Sequence, residues 1–247
     1  MNMPDEAKHT PAQSKQTADC ESSESDADEE TIKQYKVILL GNGATGKTSI
    51  AQRFANSTFA TSYKQTLGLD FFMKRLQLPA NTEVALQMWD IGGQSIGGKM
   101  IDNYIYGAHC VILCYDITNV DSFQDLEDWF RLVKKSFGTN KLPLVALMAN
   151  KTDLNHMRVV KDGTAHRFAV ENDMIEFGVS AKTGDAVNTS FYQIAAALSG
   201  VLLPKSELDS HNTVITAQIT SHLQHDEEVE GGQVPEYVNK RGSCSIS

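Results

Sequence analysis

Short apolar runs alternate along the chain with longer segments in which apolar residues recur every three or four positions. The short runs have the length of β-strands buried on both faces, and the longer spacing is typical of amphipathic helices. The predicted strands are residues 35–40, 69–78, 83–90, 109–116, 142–149 and 175–179. The predicted helices follow Thr48 and then cover residues 122–137, 161–171 and 187–201.

This alternation of strands and helices predicts an α/β fold, with a mostly parallel six-stranded sheet and helices on both faces. The second and third strands are joined by Pro79-Ala80-Asn81-Thr82, a turn sequence, so they are predicted to form a hairpin. One edge strand is therefore antiparallel. In such sheets ligands bind at the carboxyl ends of the strands.

Acidic residues are concentrated at the two ends of this 247-residue chain, whose formal net charge is −9. Residues 1–34 and 204–247 are polar and acidic, while the segment between them is almost neutral. We therefore expect a disordered acidic arm over 1–34, one globular domain over 35–203 and a flexible tail over 204–247. The acidic balance argues against nucleic acid as a partner.

The chain shows no apolar signal segment at its start and no apolar run long enough to span a membrane. Its four cysteines do not suggest a disulfide framework. Cys110 and Cys114 lie in a predicted strand, so we expect them to be buried free thiols. A reducing cytosol is the expected compartment.

The sequence GNGATGKT, which begins at residue 41, fits the phosphate-binding loop and lies between a predicted strand and a predicted helix. Gly41, Gly43 and Gly46 allow the backbone to approach phosphate closely. Lys47 can reach the β- and γ-phosphates, and Thr48 can bind Mg²⁺. The predicted phosphate-binding set also includes Ala44, Thr45 and Ser49. This motif alone does not distinguish ATP from GTP.

Two further segments at strand ends favour guanine. The Asp153 carboxylate can accept hydrogen bonds from N1–H and the exocyclic amine of guanine, a donor pair that adenine lacks. Lys151 can lie over the base, and Asn150 can connect this segment to the phosphate loop. Backbone N–H groups of a second segment can meet the guanine O6; its residues are Ser180, Ala181 and Lys182.

The segment DIGGQ, which begins at residue 90, fits a motif for phosphoryl transfer. Asp90 can hold Mg²⁺ through water, the Gly93 amide can meet the γ-phosphate, and Gln94 can orient the attacking water. Thr66 can complete the Mg²⁺ shell when the γ-phosphate is present. Four glycines between residues 91 and 98 predict a loop that moves.

Across residues 35–203 the chain resembles a small GTPase of the Ras superfamily, with all five nucleotide motifs in order. The segment TLGLDFF and Trp89 resemble the Rab branch, and several details resemble an atypical farnesylated member of it. The resemblance implies a P-loop small-GTPase fold, bound GTP or GDP with Mg²⁺, and Phe59 at the guanine edge. It also implies an effector-binding triad of Phe71, Trp89 and Tyr104, although these could equally be core aromatics at the sheet edge.

The chain departs from typical Rabs in two places. Ile91-Gly92 and Ser95-Ile96-Gly97 replace the usual residues around the glutamine, which changes the surface that partners would meet. The chain ends in Cys244-Ser245-Ile246-Ser247, a C-a-a-X box that predicts farnesylation of Cys244; the alternative is a cysteine placed there by chance. One lipid gives weak anchoring, so membrane attachment is predicted to be reversible, with a prenyl-binding chaperone in the cytosol.

The predicted function is a monomeric GTP/GDP switch with slow hydrolysis that recruits effectors in vesicle traffic. Its implied partners are an exchange factor, a GTPase-activating protein and effectors. The resemblance implies the cytoplasm and the cytoplasmic face of endosomal, lysosomal or ciliary membranes. The alternative is a scaffold that stays bound to GTP. A P-loop kinase or ATPase is disfavoured by Asp153.

Overall fold

In the computed structural model of the chain, the described residues are 32–94, 100–204, 206 and 218–219. Residues 1–31 of the predicted acidic arm, residues 95–98 of the glycine-rich loop and Cys244 lie outside the described residues, so the predicted domain boundaries remain predictions. Lys33 and Gln34, which were predicted to be part of the arm, belong to the first strand. Among the described residues, no helix has the length and apolar character needed to cross a membrane.

The strands are β1 Lys33–Leu40, β2 Thr58–Phe59, β3 Leu69–Leu78, β4 Thr82–Ile91, β5 Cys110–Asp116, β6 Leu144–Asn150, β7 Ile175–Gly178 and β8 Gln218–Ile219. The helices are α1 Lys47–Asn56, α2 Ile101–Ile105, α3 Val120–Gln124, α4 Leu126–Phe137, α5 Asp162–Glu171 and α6 Val187–Ser199, with a 3₁₀ helix at Thr152–Met157. All six predicted strands are present, with ends shifted by at most two residues.

Six strands form one sheet in the order β3-β4-β1-β5-β6-β7. Only β3 is antiparallel to its neighbour in this sheet, as the hairpin predicts, and the other pairs are parallel. Alternate residues of β1 enter two apolar clusters on opposite faces. Val37 and Leu39 pack with α1 and α6, whereas Ile38 and Leu40 pack with α4 and α5. The α/β fold with helices on both faces is confirmed.

The predicted helix over residues 122–137 is divided at Asp125 into α3 and α4. Asp125 has a ψ angle of −9°, so the backbone leaves regular helical geometry there. Its carboxylate accepts a hydrogen bond from the Asn42 side chain at 2.6 Å, a contact that local spacing does not reveal. Asn119 caps α3 by accepting from the backbone N–H groups of Asp121 and Ser122.

Four short elements, β2, β8, α2 and the 3₁₀ helix, were not predicted. The strand β2 pairs in parallel with β8, which places residues 218–219 beside the segment that follows α1. These elements have two to six residues, too few for a hydrophobic period to be recognised.

Candidate functional site

A cleft of about 520 Å³ opens at the carboxyl edge of the sheet. The predicted site residues that line it are Gly43, Ala44, Gly46, Lys47, Thr48, Ser49, Phe59, Thr66, Gly93, Gln94, Asn150, Lys151, Asp153, Ala181 and Lys182. The predicted residues behind this lining are Gly41, Thr45, Asp90 and Ser180, while Phe71, Trp89 and Tyr104 also lie outside it. The structure therefore brings the phosphate, metal and base motifs together.

The phosphate loop leaves β1 and enters α1 through left-handed backbone positions. Ala44 has φ +61° and Gly46 has φ +92°. A Cβ at Gly46 would overlap the Asn150 side-chain nitrogen, so this position requires glycine. A backbone that passes through left-handed positions in this way turns successive N–H groups toward one side. The dipole at the start of α1 adds to the positive potential there. The loop can therefore hold an anionic phosphate.

Lys47 folds back across the loop that precedes it. Its ammonium donates to the carbonyls of Gly41 at 2.7 Å and Asn42 at 2.9 Å, and the residue is only 6% exposed. Burial lowers the pKa of Lys47, and the nearby Asp90 carboxylate opposes that effect. A buried cation at the mouth of an anion-binding loop can compensate phosphate charge.

Three oxygen-bearing side chains meet below the loop. Thr48 donates through a short hydrogen bond to Asp90 Oδ2, and Thr66 donates to the same oxygen at 3.3 Å. The two hydroxyl oxygens lie 2.8 Å apart. Burial raises the pKa of Asp90, while the Thr48 hydrogen bond and the Lys47 charge oppose the rise.

This oxygen set fits Mg²⁺. Six oxygens at about 2.0–2.1 Å in octahedral geometry place neighbouring ligands about 2.9 Å apart, close to the Thr48–Thr66 separation. Asp90 Oδ1 is buried and has no hydrogen-bond partner within the described part of the chain. A buried acceptor without a partner is costly, and a bound ion or its water would satisfy it.

The segment after β4 contacts the segment before β3 through the backbone. Gly92 N–H donates to the Gly68 carbonyl at 2.9 Å, and a Cβ at Gly92 would lie 2.6 Å from the Thr66 carbonyl oxygen. Gly93 lies directly against the backbone of Asn42 and Gly43. Gln94 follows at the cleft, with an exposed side chain. Residues from both segments therefore face the same phosphate-binding loop.

The two predicted base-binding segments are joined to each other and to the phosphate loop. Asn150 is 2% exposed; its Nδ2 donates to the Thr45 carbonyl at 2.8 Å, and its Oδ1 accepts from Ala181 N–H at 3.1 Å. Ser180 Oγ donates to Asp153 at 2.6 Å. The Asn150 contact with the phosphate loop is thus confirmed by geometry.

Lys151 is held beside the cleft by an ion pair. Its ammonium lies 2.6 Å from Asp116 Oδ2, and Asp116 also accepts from the backbone and hydroxyl of Thr118. Lys151 has φ +69°, an uncommon conformation for a residue other than glycine. The Asp116 partner orients the lysine stem, which lines the cleft.

The sequence motifs did not reveal several residues that shape this site. Asn42 accepts from Trp129 Nε1 at 2.9 Å, which fixes the phosphate loop to α4. Tyr63 lines the cleft, with its hydroxyl 3.7 Å from the position that a Cβ on Gly43 would take. Arg53 on α1 contacts the segment after β7. Asn42 occupies a position of the phosphate-loop motif where any residue is allowed. Tyr63 and Arg53 belong to no motif that their sequence spacing would reveal.

Two of the three triad aromatics lie together. Phe71 and Trp89 are opposite one another on β3 and β4, edge to face with ring centroids 5.9 Å apart. Phe71 is 52% exposed, and Lys36 lies 4.4 Å from the centroid of the Trp89 ring. Tyr104 on α2 packs against the same apolar cluster as Trp89. Their role in effector binding stays a prediction.

Comparison with known proteins gives one consistent result. The model of the Ras family matches residues 36–199. The Ras-related protein Rab-28 of Caenorhabditis elegans is 46% identical over 198 residues, which cover 79% of this chain and 80% of that protein. The Ras-related protein Rab-1 of Theileria parva is 39% identical over 165 residues, which cover 66% of this chain and 74% of that relative.

Proposed function

The chain belongs to the Rab branch of the Ras family, whose members hydrolyse GTP to GDP, and on this premise we propose a GTP/GDP switch that recruits effectors in vesicle traffic. The observation that carries the proposal is the position of Thr66. This residue comes from the segment between α1 and β3, yet its hydroxyl meets Thr48 and Asp90 beneath the phosphate loop. A segment held in this way responds to what occupies the cleft.

Different residues of the cleft have different roles in phosphoryl transfer. The phosphate loop and Lys47 hold the β- and γ-phosphates, and the Gly93 amide meets the γ-phosphate. Thr48, Thr66 and Asp90 would hold Mg²⁺, Asp90 through water; the ion would supply positive charge to the phosphate oxygens. Gln94 orients the attacking water. Loss of the γ-phosphate removes a contact from residues 57–68 and 91–103, which then relax.

Guanine selection is assigned to the loops after β6 and β7. Asp153 accepts from N1–H and the exocyclic amine, Lys151 lies over the base, and Phe59 stacks at its edge. The hydrogen bond from Ser180 leaves the Asp153 carboxylate with further acceptor capacity for the base. Competition by ADP at concentrations equal to GDP would contradict this assignment.

Reversible membrane attachment is assigned to a farnesyl group on Cys244. Lys240 and Arg241 are the basic residues beside it, so the lipid acts with little electrostatic support. A prenyl-binding chaperone would cover the lipid in the cytosol. Quantitative recovery of the protein in salt-washed membranes would contradict this, and Cys244→Ser is expected to abolish membrane association altogether.

Hydrolysis tests the switch directly. Purified protein loaded with GTP is expected to hydrolyse it at roughly 10⁻⁴–10⁻³ s⁻¹, and a cell extract containing an activating protein is expected to raise this rate by several orders of magnitude. Gln94→Leu should lose most of the stimulated rate while retaining nucleotide. Gln77→Leu, on the exposed part of β3, serves as the matched control and should behave as the wild type.

A scaffold that stays bound to GTP is the second candidate, and the altered segment around Gly92 favours it. Proximity labelling of Gln94→Leu and Thr48→Asn forms in cells distinguishes the two functions. Different labelled partners and membranes for the two forms support the switch. Identical partners, together with no stimulated hydrolysis, favour the scaffold.

A further inference from the structure

Arg53 is a buried arginine whose bonds lead directly to the predicted base-binding segment. It lies on α1, seven residues after Gly46 in the phosphate loop, and is 5% exposed. Its Nε donates to the Ala181 carbonyl at 2.8 Å, and its Nη2 makes a short hydrogen bond to the Lys182 carbonyl. One side chain therefore holds two successive carbonyl groups.

The guanidinium is also enclosed by neighbours from two other elements. Its Cζ lies 5.7 Å from the centroid of the Phe59 ring. A Cβ on Gly184 would lie 3.6 Å from the Arg53 Cδ. Within the described part of the chain Nη1 has no hydrogen-bond acceptor, so the two carbonyls and the Phe59 ring fix the orientation of the group.

The direction of these bonds has a consequence for the backbone N–H groups. In a planar trans peptide the C=O and N–H bonds point in opposite directions. Arg53 holds the Ala181 carbonyl, so the N–H of Lys182, in the same peptide, points away from Arg53. Ala181 and Lys182 line the cleft, whereas Arg53 does not. The Lys182 N–H is therefore turned toward the cleft.

The neighbouring N–H groups already have acceptors. Ala181 N–H donates to Asn150 Oδ1 at 3.1 Å, and Thr183 N–H donates to Ser180 Oγ at 3.1 Å. The Lys182 N–H lies between them in the chain. Arg53 orients the peptides of both the Lys182 and the Thr183 N–H groups, and because Thr183 N–H donates to Ser180, the Lys182 N–H is the one left to meet a ligand.

We propose that Arg53 is a positioning residue for guanine recognition, which aims the Lys182 N–H at the O6 atom of the bound base. This inference rests on the role proposed above for the segment after β7. Arg53 reaches this segment from the helix that begins at the phosphate loop. The same residue therefore fixes the distance between the phosphate-binding and base-binding ends of the cleft.

The test compares release of GDP with release of 6-thio-GDP from the full-length chain. The two nucleotides differ only at position 6, where sulfur is a weak hydrogen-bond acceptor. The variants are Arg53→Gln, which loses the charged fork, and Arg53→Lys, which keeps one cationic donor. Arg131→Gln is the matched control, because Arg131 is an exposed arginine on α4 outside the cleft.

Arg53→Gln is expected to accelerate GDP release about ten-fold, the effect of losing a charge-assisted hydrogen bond. Release of 6-thio-GDP should change by no more than about two-fold, and Arg53→Lys should fall between the wild type and Arg53→Gln for GDP. Arg131→Gln should match the wild type. If Arg53→Gln does not fold, the Lys variant must still show a larger effect on GDP than on 6-thio-GDP.

Equal acceleration of both nucleotides would overturn the proposal, because a role in packing alone would loosen both to the same extent. Unchanged GDP release in a folded variant would also overturn it. Failure of the proposed function would give another result: the wild-type chain itself would bind ADP as well as it binds GDP.

Discussion

The hydroxyl oxygens of Thr48 and Thr66 lie 2.8 Å apart, although 18 residues separate them in the chain. Thr48 belongs to the helix that carries the phosphate loop, and Thr66 belongs to a segment on the other side of the cleft. Both donate to the same oxygen of Asp90. The position of the segment that carries Thr66 is therefore linked to the end of the site where the Mg²⁺ ligands are predicted.

This pairing predicts that Thr66→Ala weakens binding of GTP more than binding of GDP. The hydroxyl is proposed to complete the Mg²⁺ shell when the γ-phosphate is present, so its loss should accelerate release of a non-hydrolysable GTP analogue about ten-fold. GDP release should change little. Thr66→Ser keeps the hydroxyl and should restore the wild-type rate. Equal acceleration of GTP-analogue release and GDP release would show that Thr66 takes no part in the switch.

Gly92→Ala is predicted to disturb the contact between the segment after β4 and the segment before β3. The new Cβ would lie 2.6 Å from the Thr66 carbonyl oxygen, a backbone atom that must move to relieve the overlap. Inserting an atom into such a close contact destabilises the folded arrangement by about 1–3 kcal/mol. We expect weaker binding of the GTP analogue, measured by titration, with GDP affinity unchanged.

The control for this variant is Gly163→Ala. Gly163 lies in α5, and a Cβ added there meets no atom within 4 Å. Alanine favours the helix over glycine by roughly 0.5–1 kcal/mol, so this variant should be slightly more stable and bind both nucleotides normally. A Gly92→Ala variant that also binds both normally would show that the close contact is not needed.

Asn42→Ala is predicted to destabilise the protein through Trp129. That indole is fully buried, and its Nε1–H donates to Asn42 Oδ1. A buried donor left without an acceptor costs about 1–3 kcal/mol, which urea unfolding would measure. Asp125→Ala removes only the exposed hydrogen bond between Asn42 and Asp125. It should therefore lower the free energy of unfolding by less than about 0.5 kcal/mol. Equal costs would contradict this explanation.

Cys110 and Cys114 are predicted to resist alkylation while the protein is folded. Both are fully buried, and burial raises the pKa of Cys114 to about 12 and that of Cys110 further. The thiolate is the reactive form, and with a pKa of about 12 only about one molecule in ten thousand carries it at pH 8.

Iodoacetamide labelling followed by peptide mass spectrometry would check this. Modification of Cys110 and Cys114 should accelerate only when urea unfolds the chain, because the thiol pKa then falls to its ordinary value. Raising the pH from 7 to 9 should leave both unmodified in the folded protein. Rapid labelling at pH 8 without denaturant would show that β5 opens readily.

The sequence predicted the strands well because five of the six are buried on both faces or end at a recognisable turn. β3 was predicted at its observed ends, Leu69 and Leu78, since Pro79 and Asn81 mark the turn that follows. The nucleotide motifs were predictable for a related reason. Four of the five begin at or after the end of a strand, and parallel strands place their carboxyl ends at one edge; Thr66, which precedes β3, is the exception.

The connections between these motifs could not be predicted, because they join residues that are distant in sequence. The predicted helix divides at Asp125, which accepts from the distant Asn42, yet the apolar spacing runs continuously from Phe123 to Val133. Arg53 occupies a helix position where spacing alone indicates only a polar side chain. Its partners, two backbone carbonyls, carry no residue identity that a pattern could detect.

Asn150 has one further consequence for how a nucleotide leaves. Its amide uses the nitrogen for the phosphate loop and the oxygen for the base loop. Displacement of the phosphate loop alone would therefore leave a buried amide nitrogen without its acceptor. We expect such a displacement to weaken the hold of Asn150 on the base loop as well, so that the two ends of the nucleotide site loosen together.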